Sequence, residues 1–288
     1  MRYITAMTIA GSDPSGGAGI QADIKTMSAI GVYACSAITA LTVQNTVGVT
    51  NVFPVDCTCV RQQIEAVMND IKPAVIKIGM LHNLETAKAV TESLSGYADS
   101  TLSIILDPIM VSSSGRMLIS DEALKYVTDE LLPMCTLVTP NIPEAEILSD
   151  IRISGNDARM EAARRILELG TNAVLVKGGH SESRVKSDLL VTAGGQEKWF
   201  SMLGVETPNT HGTGCTLSSA IAAYIALGEQ LDDAVQKAKR FVNEALKAGK
   251  GMELGQGTGP LQHFFQYQTM TGSGREGNVT AEKQQISF

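Results

Sequence analysis

Along most of the 288-residue chain, short β-rich apolar runs alternate with stretches whose apolar residues recur at helical spacing. ITAMTIA (4–10) predicts a strand, GSDPSGGAG (11–19) a loop, and IQADIKTMSAIG (20–31) a helix closed by Gly31. CSAITALTV (35–43) is nearly continuous in apolar residues, which predicts a strand buried on both faces. Four helix-then-strand pairs follow: 60–71 with 74–81, 84–94 with 102–110, 121–132 with 136–141, and 158–170 with 172–179. This repeated order with short connections predicts a mostly parallel central sheet with helices on both faces, a three-layer α/β fold. DLLVTAGG and QEKWFSM (188–202) break the rhythm and predict a hairpin with a Gly-Gly turn. Two helices close the pattern, CTLSSAIAAYIALG from 215 and DDAVQKAKRFVNEALKAGKG from 232.

No low-complexity linker or internal repeat interrupts the first 266 residues, so 1–266 read as a single domain. Residues 267–288 are polar and glycine-containing, without an apolar period, and predict a mobile or loosely docked tail. The composition, 44% hydrophobic and 18% charged, is that of a globular protein. A formal net charge of −7 argues against nucleic acid as a partner, because phosphate backbones call for clustered Lys and Arg. The longest basic cluster, KAKR (237–240), reads at helical spacing as a solvated face. Five cysteines at irregular spacing, with Cys57 and Cys59 as a CxC pair lacking a second pair, do not form a zinc pattern. No signal-peptide pattern opens the chain and no run of about 18 apolar residues exists, so a reduced, cytoplasmic protein with no membrane span is expected.

In open α/β sheets, chemistry gathers at the C-terminal ends of the strands. GSDPSGGAG, after the first strand, is neither a GxGxxG fingerprint nor a P-loop; it is either a ligand-approaching glycine loop or a tight turn into a helix. Asp23 lies just inside that helix, where it suits the macrodipole or turns inward toward a substrate. VQNT (43–46) brings polar residues abruptly to a strand end. There Gln44 offers a donor and an acceptor in one plane, suited to an amidine-like heterocycle edge, or merely caps a loop. DPIM (107–110) and TPNIPEAE (139–146) bring Asp107, Asn141 and Glu144 to adjacent strand ends. Oxygen groups of this kind suit Mg²⁺, while Asn141 with Glu144 three residues on equally matches a capping box. Finally, THGTGCT (210–216) places Gly212, Thr213, Gly214 and Cys215 at the start of an apolar helix. Successive N–H groups and the helix dipole would cradle an anion there, with Lys177 at a strand end as the neutralising cation, or the glycines merely start a helix with no ligand. His82, His180, His211 and His263 show no metal spacing and receive no catalytic role.

Taken together, AGSDPSGGAGIQADIKT, ITALTVQNT, KIGML, TPNIPEAE, VKGGH and NTHGTGCTLS resemble the hydroxymethylpyrimidine kinase/phosphomethylpyrimidine kinases of thiamine biosynthesis, in the ribokinase-like superfamily. The resemblance spans roughly residues 3 to 265. It implies ATP- and Mg²⁺-dependent phosphorylation of 4-amino-5-hydroxymethyl-2-methylpyrimidine, then of the resulting monophosphate, by a homodimer. It also implies that Gln44 binds the pyrimidine edge in a pocket with Asp23, Met80, Gly11 and Val43. Asn141 and Glu144 match the magnesium-associated NxxE pattern, acting through water, with Asp107 beside them on the ATP side. Gly212, Thr213 and Gly214 match the anion hole and Lys177 the phosphate-facing lysine. Cys215 stands where the sugar kinases of the superfamily carry an aspartate base; either a helix N-terminus lowers its thiol toward a thiolate that accepts the hydroxymethyl proton, or it is a small apolar plug whose backbone N–H is the useful part. The same cysteine occurs in some pyridoxal kinases, which keeps a pyridoxal or pyridoxine kinase as an alternative. A third alternative is a catalytically inert ligand-binding protein on this fold.

Overall fold

The computed structural model describes residues 1–97, 101–110, 118–179 and 184–267. His180 and nearly all of the polar tail, 268–288, lie outside the described residues. Nine strands form one sheet: β1 (Thr5–Ser12), β2 (Tyr33–Asn45), β3 (Gly48–Pro54), β4 (Val75–Ile78), β5 (Ser103–Leu106), β6 (Leu137–Val138), β7 (Ala173–Val176), β8 (Val185–Thr192) and β9 (Glu197–Leu203). Their order is β3-β2-β1-β4-β5-β6-β7-β8-β9, parallel from β2 through β7 and antiparallel at both margins. The helices are α1 (Gly19–Ile30), α2 (Cys57–Asp70), α3 (Leu84–Ser95), α4 (Asp121–Tyr126), α5 (Ile142–Ser149), α6 (Asn156–Leu167), α7 (Thr213–Ala226) and α8 (Leu231–Gly249).

Alternation along the short parallel strands fills both faces of the sheet, as expected where helices cover each side. Ile76, Ile78, Ile104 and Leu106 pack with Ile64, Val90 and Ile166 of α2, α3 and α6. Val75, Ile105 and Leu175 point the other way, against Met27, Ile221 and Phe241 of α1, α7 and α8. Lys77 has the parity of Val75, which sends a lysine, fully buried, into the α1–α7 layer.

Three local expectations are corrected. The first is β2, which is buried only as far as Ala40. Beyond it, Leu41 and Val43 are exposed while Thr42 and Gln44 are half-buried, because the strand leaves the helical layers to pair with β3. The second is β3 itself, GVTNVFP, whose mixed polar and proline-containing run hides the strand. Last, the helix expected over 121–132 is α-helical only to Tyr126, continuing as a π turn over Val127–Leu131 and a 3-10 turn over Leu132–Met134. Pro133 lacks an N–H and cannot continue an α-helical ladder.

From β1 the chain moves outward to β2 and β3, then crosses back to β4 beside β1. Strand order reverses there, so the loops after β1 and β4 diverge and leave a crevice at the strand ends.

Candidate active site

The crevice is a cavity of about 780 Å³ along the C-terminal ends of the parallel strands and the start of α7. Its walls include Gly11, Gln44 and Met80 at one end, and Asp107, Asn141, Glu144, Lys177 and the Gly212–Cys215 turn at the other.

The charged end is assembled from adjacent strand ends. Lys177, just after β7, lies 2.6 Å from Asp107, just after β5, and 3.9 Å from Glu144 in the first turn of α5. Thr139 donates to Asp107 at 3.1 Å and Ser218 of α7 at 3.3 Å. Burial alone would raise the Asp107 carboxyl; the charges of Lys177 and Lys77 and these hydrogen bonds outweigh it and hold it below the usual carboxylate range. Burial would likewise lower Lys177, but Asp107 and Glu144 raise it, so the ammonium is firmly charged. Glu144 moves the other way. Burial and the Asp107 charge raise its carboxyl above the usual range despite Lys177. The capping box is real: Glu144 N–H donates to Asn141 Oδ1 at 2.9 Å, and Asn141 N–H donates to Glu144 Oε2 at 2.8 Å.

The start of α7 lies against this pair. A Cβ on Gly214 would sit 3.5 Å from Lys177 Nζ and 3.6 Å from Asp107 Oδ2. Gly212 is the N-cap, with a left-handed φ of 82°, and a Cβ there would lie 1.8 Å from the Gly17 carbonyl oxygen. Only glycine allows this turn, which presses the helix start onto the 11–19 loop. Thr213 N–H donates to the Thr210 carbonyl at 3.2 Å and Thr216 N–H to that of Gly212 at 2.8 Å. The Gly214 and Cys215 N–H groups lie between them at the helix start that lines the cavity, a position suited to an anion.

Two of the expected pocket residues are not in the cavity wall. Asp23 does turn inward, but it is fully buried beneath the site. It accepts from Lys77 at 2.9 and 3.0 Å and from Thr8 and Ser219 at 2.6 Å each, so its oxygens are committed. A lysine buried by strand parity requires a counter-charge, and Asp23 supplies it. Val43 lies one residue from Gln44 on a strand, hence on the opposite face, and is exposed.

Cys215 lines the cavity, but its thiol is pushed up to about 11. Desolvation is the main cause; Lys77 opposes it, while Asp23 and Asp107 reinforce it. The helix start therefore does not make this cysteine a thiolate at neutral pH. All five cysteines are free thiols.

One residue that sequence reasoning missed is His211. Its Nε2 lies 2.8 Å from Asp13 Oδ2 and 3.2 Å from the Gln44 amide. Asp13 and His211 are separated by 198 positions, so no spacing announces the pair. The available signal was two polar side chains flanking the glycine-rich turns already singled out.

A mostly parallel α/β sheet of this order, with a crevice at its strand ends lined by a glycine-rich helix start, a buried Lys–Asp pair and a planar amide, is the arrangement of a small-molecule kinase of ribokinase-like fold. Residues 13–262 match the family model described as phosphomethylpyrimidine kinase. The hydroxymethylpyrimidine/phosphomethylpyrimidine kinase of Escherichia coli K12 is 43% identical over 265 residues, covering 92% of this chain and 98% of that one. The crystal structure of phosphomethylpyrimidine kinase from Clostridium difficile 630 aligns with a TM-score of 0.75 at 42% identity, covering 84% of this chain and 99% of its own. The pyridoxal kinase of Staphylococcus aureus, in complex with AMP-PCP and pyridoxal, aligns with a TM-score of 0.82 at 30% identity, covering 93% and 96%. The chain belongs to the phosphomethylpyrimidine kinase family. The fold is common to both kinds of kinase; sequence identity lies with the pyrimidine kinases, and the pyridoxal kinase alternative is not favoured.

Proposed function

We propose that this kinase transfers a phosphoryl group from ATP to the hydroxymethyl oxygen of 4-amino-5-hydroxymethyl-2-methylpyrimidine. It then transfers a second to the monophosphate, yielding the diphosphate used in thiamine biosynthesis. The observation that carries this reading is the polarity of one cavity. A ring-sized slot with a planar amide, Gln44 beside Met80 and Gly11, opens directly onto the cradle and Lys177. Phosphoryl transfer passes through a loose transition state, so catalysis rests on positioning and charge neutralisation. The Gly214 and Cys215 N–H groups and Lys177 would meet the charge that develops on the moving group.

The residues also fit Mg²⁺. Two carboxylates, Asp107 and Glu144, surround a single ammonium, and burial drives Glu144 toward its neutral form, the mark of an anionic site that accommodates further positive charge. Asn141 and Glu144 would hold the ion through water, with Asp107 alongside; when bound, it neutralises phosphate charge. Lys177 orients the transferring group, and Cys215 contributes its backbone N–H and a small side chain that stays neutral. Neutrality matters for the second acceptor, a phosphate monoester whose second pKa of about 6 means it arrives ionised. An aspartate at 215 would repel it.

A homodimer fits the outer face of the β2–β3 hairpin, where Leu41, Val43 and Phe53 are exposed together. Sedimentation velocity tests it, with a monomer the opposing result. The function is tested by turnover with ATP and Mg²⁺ on the pyrimidine, its phosphate and pyridoxal, with product masses. A pyrimidine diphosphate is expected; its absence, with pyridoxal as the better acceptor, would overturn the assignment.

A further inference from the structure

The oxygen and nitrogen of a side-chain amide have the same shape and are told apart by their partners. In the ring slot, Gln44 is gripped on both flanks. Its Nε2 lies 3.2 Å from His211 Nε2, and its Oε1 lies 3.2 Å from Thr42 Oγ1. His211 Nε2 also lies 2.8 Å from Asp13 Oδ2. Burial would raise the Asp13 carboxyl, but His211, Ser15 and the Ala18 N–H draw it down to about 2, so it is ionised. An ionised carboxylate only accepts; His211 Nε2 therefore carries a hydrogen and offers it toward Asp13. A protonated Nε2 has no lone pair for an amide N–H. The other flank gives an independent result. Thr42 Oγ1 lies 2.7 Å from the Ser12 carbonyl oxygen, which also only accepts, so the single hydroxyl hydrogen is committed there. Thr42 can then offer Gln44 a lone pair and nothing else, which calls for an amide N–H on that side.

We propose that Asp13, His211 and Thr42 are positioning residues that hold the Gln44 amide turned end for end, oxygen toward His211 and nitrogen toward Thr42, and thereby set the direction in which the pyrimidine lies. The inference rests on Gln44 being the ring-binding residue. With its oxygen set against the His211 N–H, where an amide N–H would face a second donor, and its outer N–H donated to Thr42, the free edge of the amide presents an acceptor on the His211 side and a donor on the Thr42 side. The 4-amino group of the acceptor donates and the ring nitrogen beside it accepts, so the amino group lies on the His211 side. The hydroxymethyl arm is attached to the carbon next to the amino-bearing one, and the methyl group lies beyond the ring nitrogen. The arm is therefore directed toward the residues that follow His211, the Gly212–Cys215 cradle. The opposite amide orientation turns the methyl group to the cradle and the arm away. His211 is itself seated by the 11–19 loop: a Cβ on Gly17 would lie 2.3 Å from its Cδ2.

A double-mutant cycle tests this. His211→Phe keeps the bulk of the ring and removes the N–H. It is expected to lower kcat/KM for hydroxymethylpyrimidine about tenfold, the scale of one oriented hydrogen bond, with the KM for ATP unchanged. In a Gln44→Leu background the same substitution should cost almost nothing, because no amide is left to orient. An unchanged pyrimidine KM in Gln44→Leu removes Gln44 from the site and this inference with it. If Gln44→Leu raises KM but His211→Phe is silent, or its cost is additive, the orientation is overturned while the ring-binding role stands. Nitrogen NMR of histidine-labelled wild-type protein gives a variant-free readout. A one-bond N–H coupling at His211 Nε2 supports the proposal, and an Nε2 without hydrogen overturns it.

Discussion

The Lys77–Asp23 pair offers a quantitative test of how the site is supported. Lys77 and Asp23 are both fully buried, and their atoms approach to 2.9 and 3.0 Å. Burial would lower the ammonium, yet Asp23, and more weakly Asp107, raise it above its ordinary range. Lys77→Met removes the cation, leaves the aliphatic volume nearly filled, and strands a carboxylate in an apolar layer. Breaking a buried pair from one side costs about 3–5 kcal/mol. For a chain of this size, that corresponds to a fall in Tm of about 6–20 °C. Adding Asp23→Asn removes the stranded charge while leaving an amide oxygen for Thr8 and Ser219, so the double variant should recover at least half of the loss. Thermal unfolding of the wild type and of both variants is the assay. A single variant within about 1 kcal/mol of wild type, or a double variant no better than the single, would refute the claim that charge compensation decides this layer.

Cys215→Asp should keep measurable first-step activity and lose the second step disproportionately, whereas Cys215→Ala, which keeps the backbone N–H and a small neutral side chain, should leave the ratio of the two steps near that of the wild type. Equal losses in kcat/KM on both acceptors in Cys215→Asp would count against this. Gly212→Ala forces a side chain into left-handed backbone, at about 1–2 kcal/mol, and into the Gly17 carbonyl; it should lower kcat by at least tenfold on both acceptors, and a kcat near wild type would refute the cradle. Asp13 has a depressed carboxyl, so its contribution to stability is complete above the ordinary value of about 4 and is lost as pH falls toward 2. Asp13→Asn should flatten the acid limb of stability against pH, and parallel limbs would speak against it.

Most of the architecture was legible because strand and helix periods are strong where burial is complete. VIKI, SIIL and AVLV are core strands by composition alone, and the ends of the last two led directly to Asp107 and Lys177, while Met80 came from the family resemblance. What was illegible depended on parity and distance. Lys77 reads as one polar residue in an apolar run; only the sheet shows which layer it enters and that Asp23 must answer it. The same fact moved Asp23 from the pocket wall to the foundation beneath it. Val43 fell on the outer face for the same reason, since a strand gives adjacent residues to opposite sides. Of the two roles open to Cys215, the thiolate loses ground because the helix start was visible in sequence and the desolvation that raises the thiol was not. The partnership of His211 and Asp13 was invisible, being made by folding across nearly the whole chain.

The seam between the 11–19 loop and the start of α7 has a consequence for motion. Gly212 leaves room only for the Gly17 carbonyl, Gly17 leaves room only for the His211 ring, and His211 is tied to Asp13. Neither segment can open while the other stays closed. Slow amide exchange should therefore release the two stretches together, as one cooperative unit, although they are separated by most of the chain. Acceptor capture and phosphoryl stabilisation are, in that sense, a single mechanical part, and breathing that admits a substrate must also loosen the cradle that will act on it.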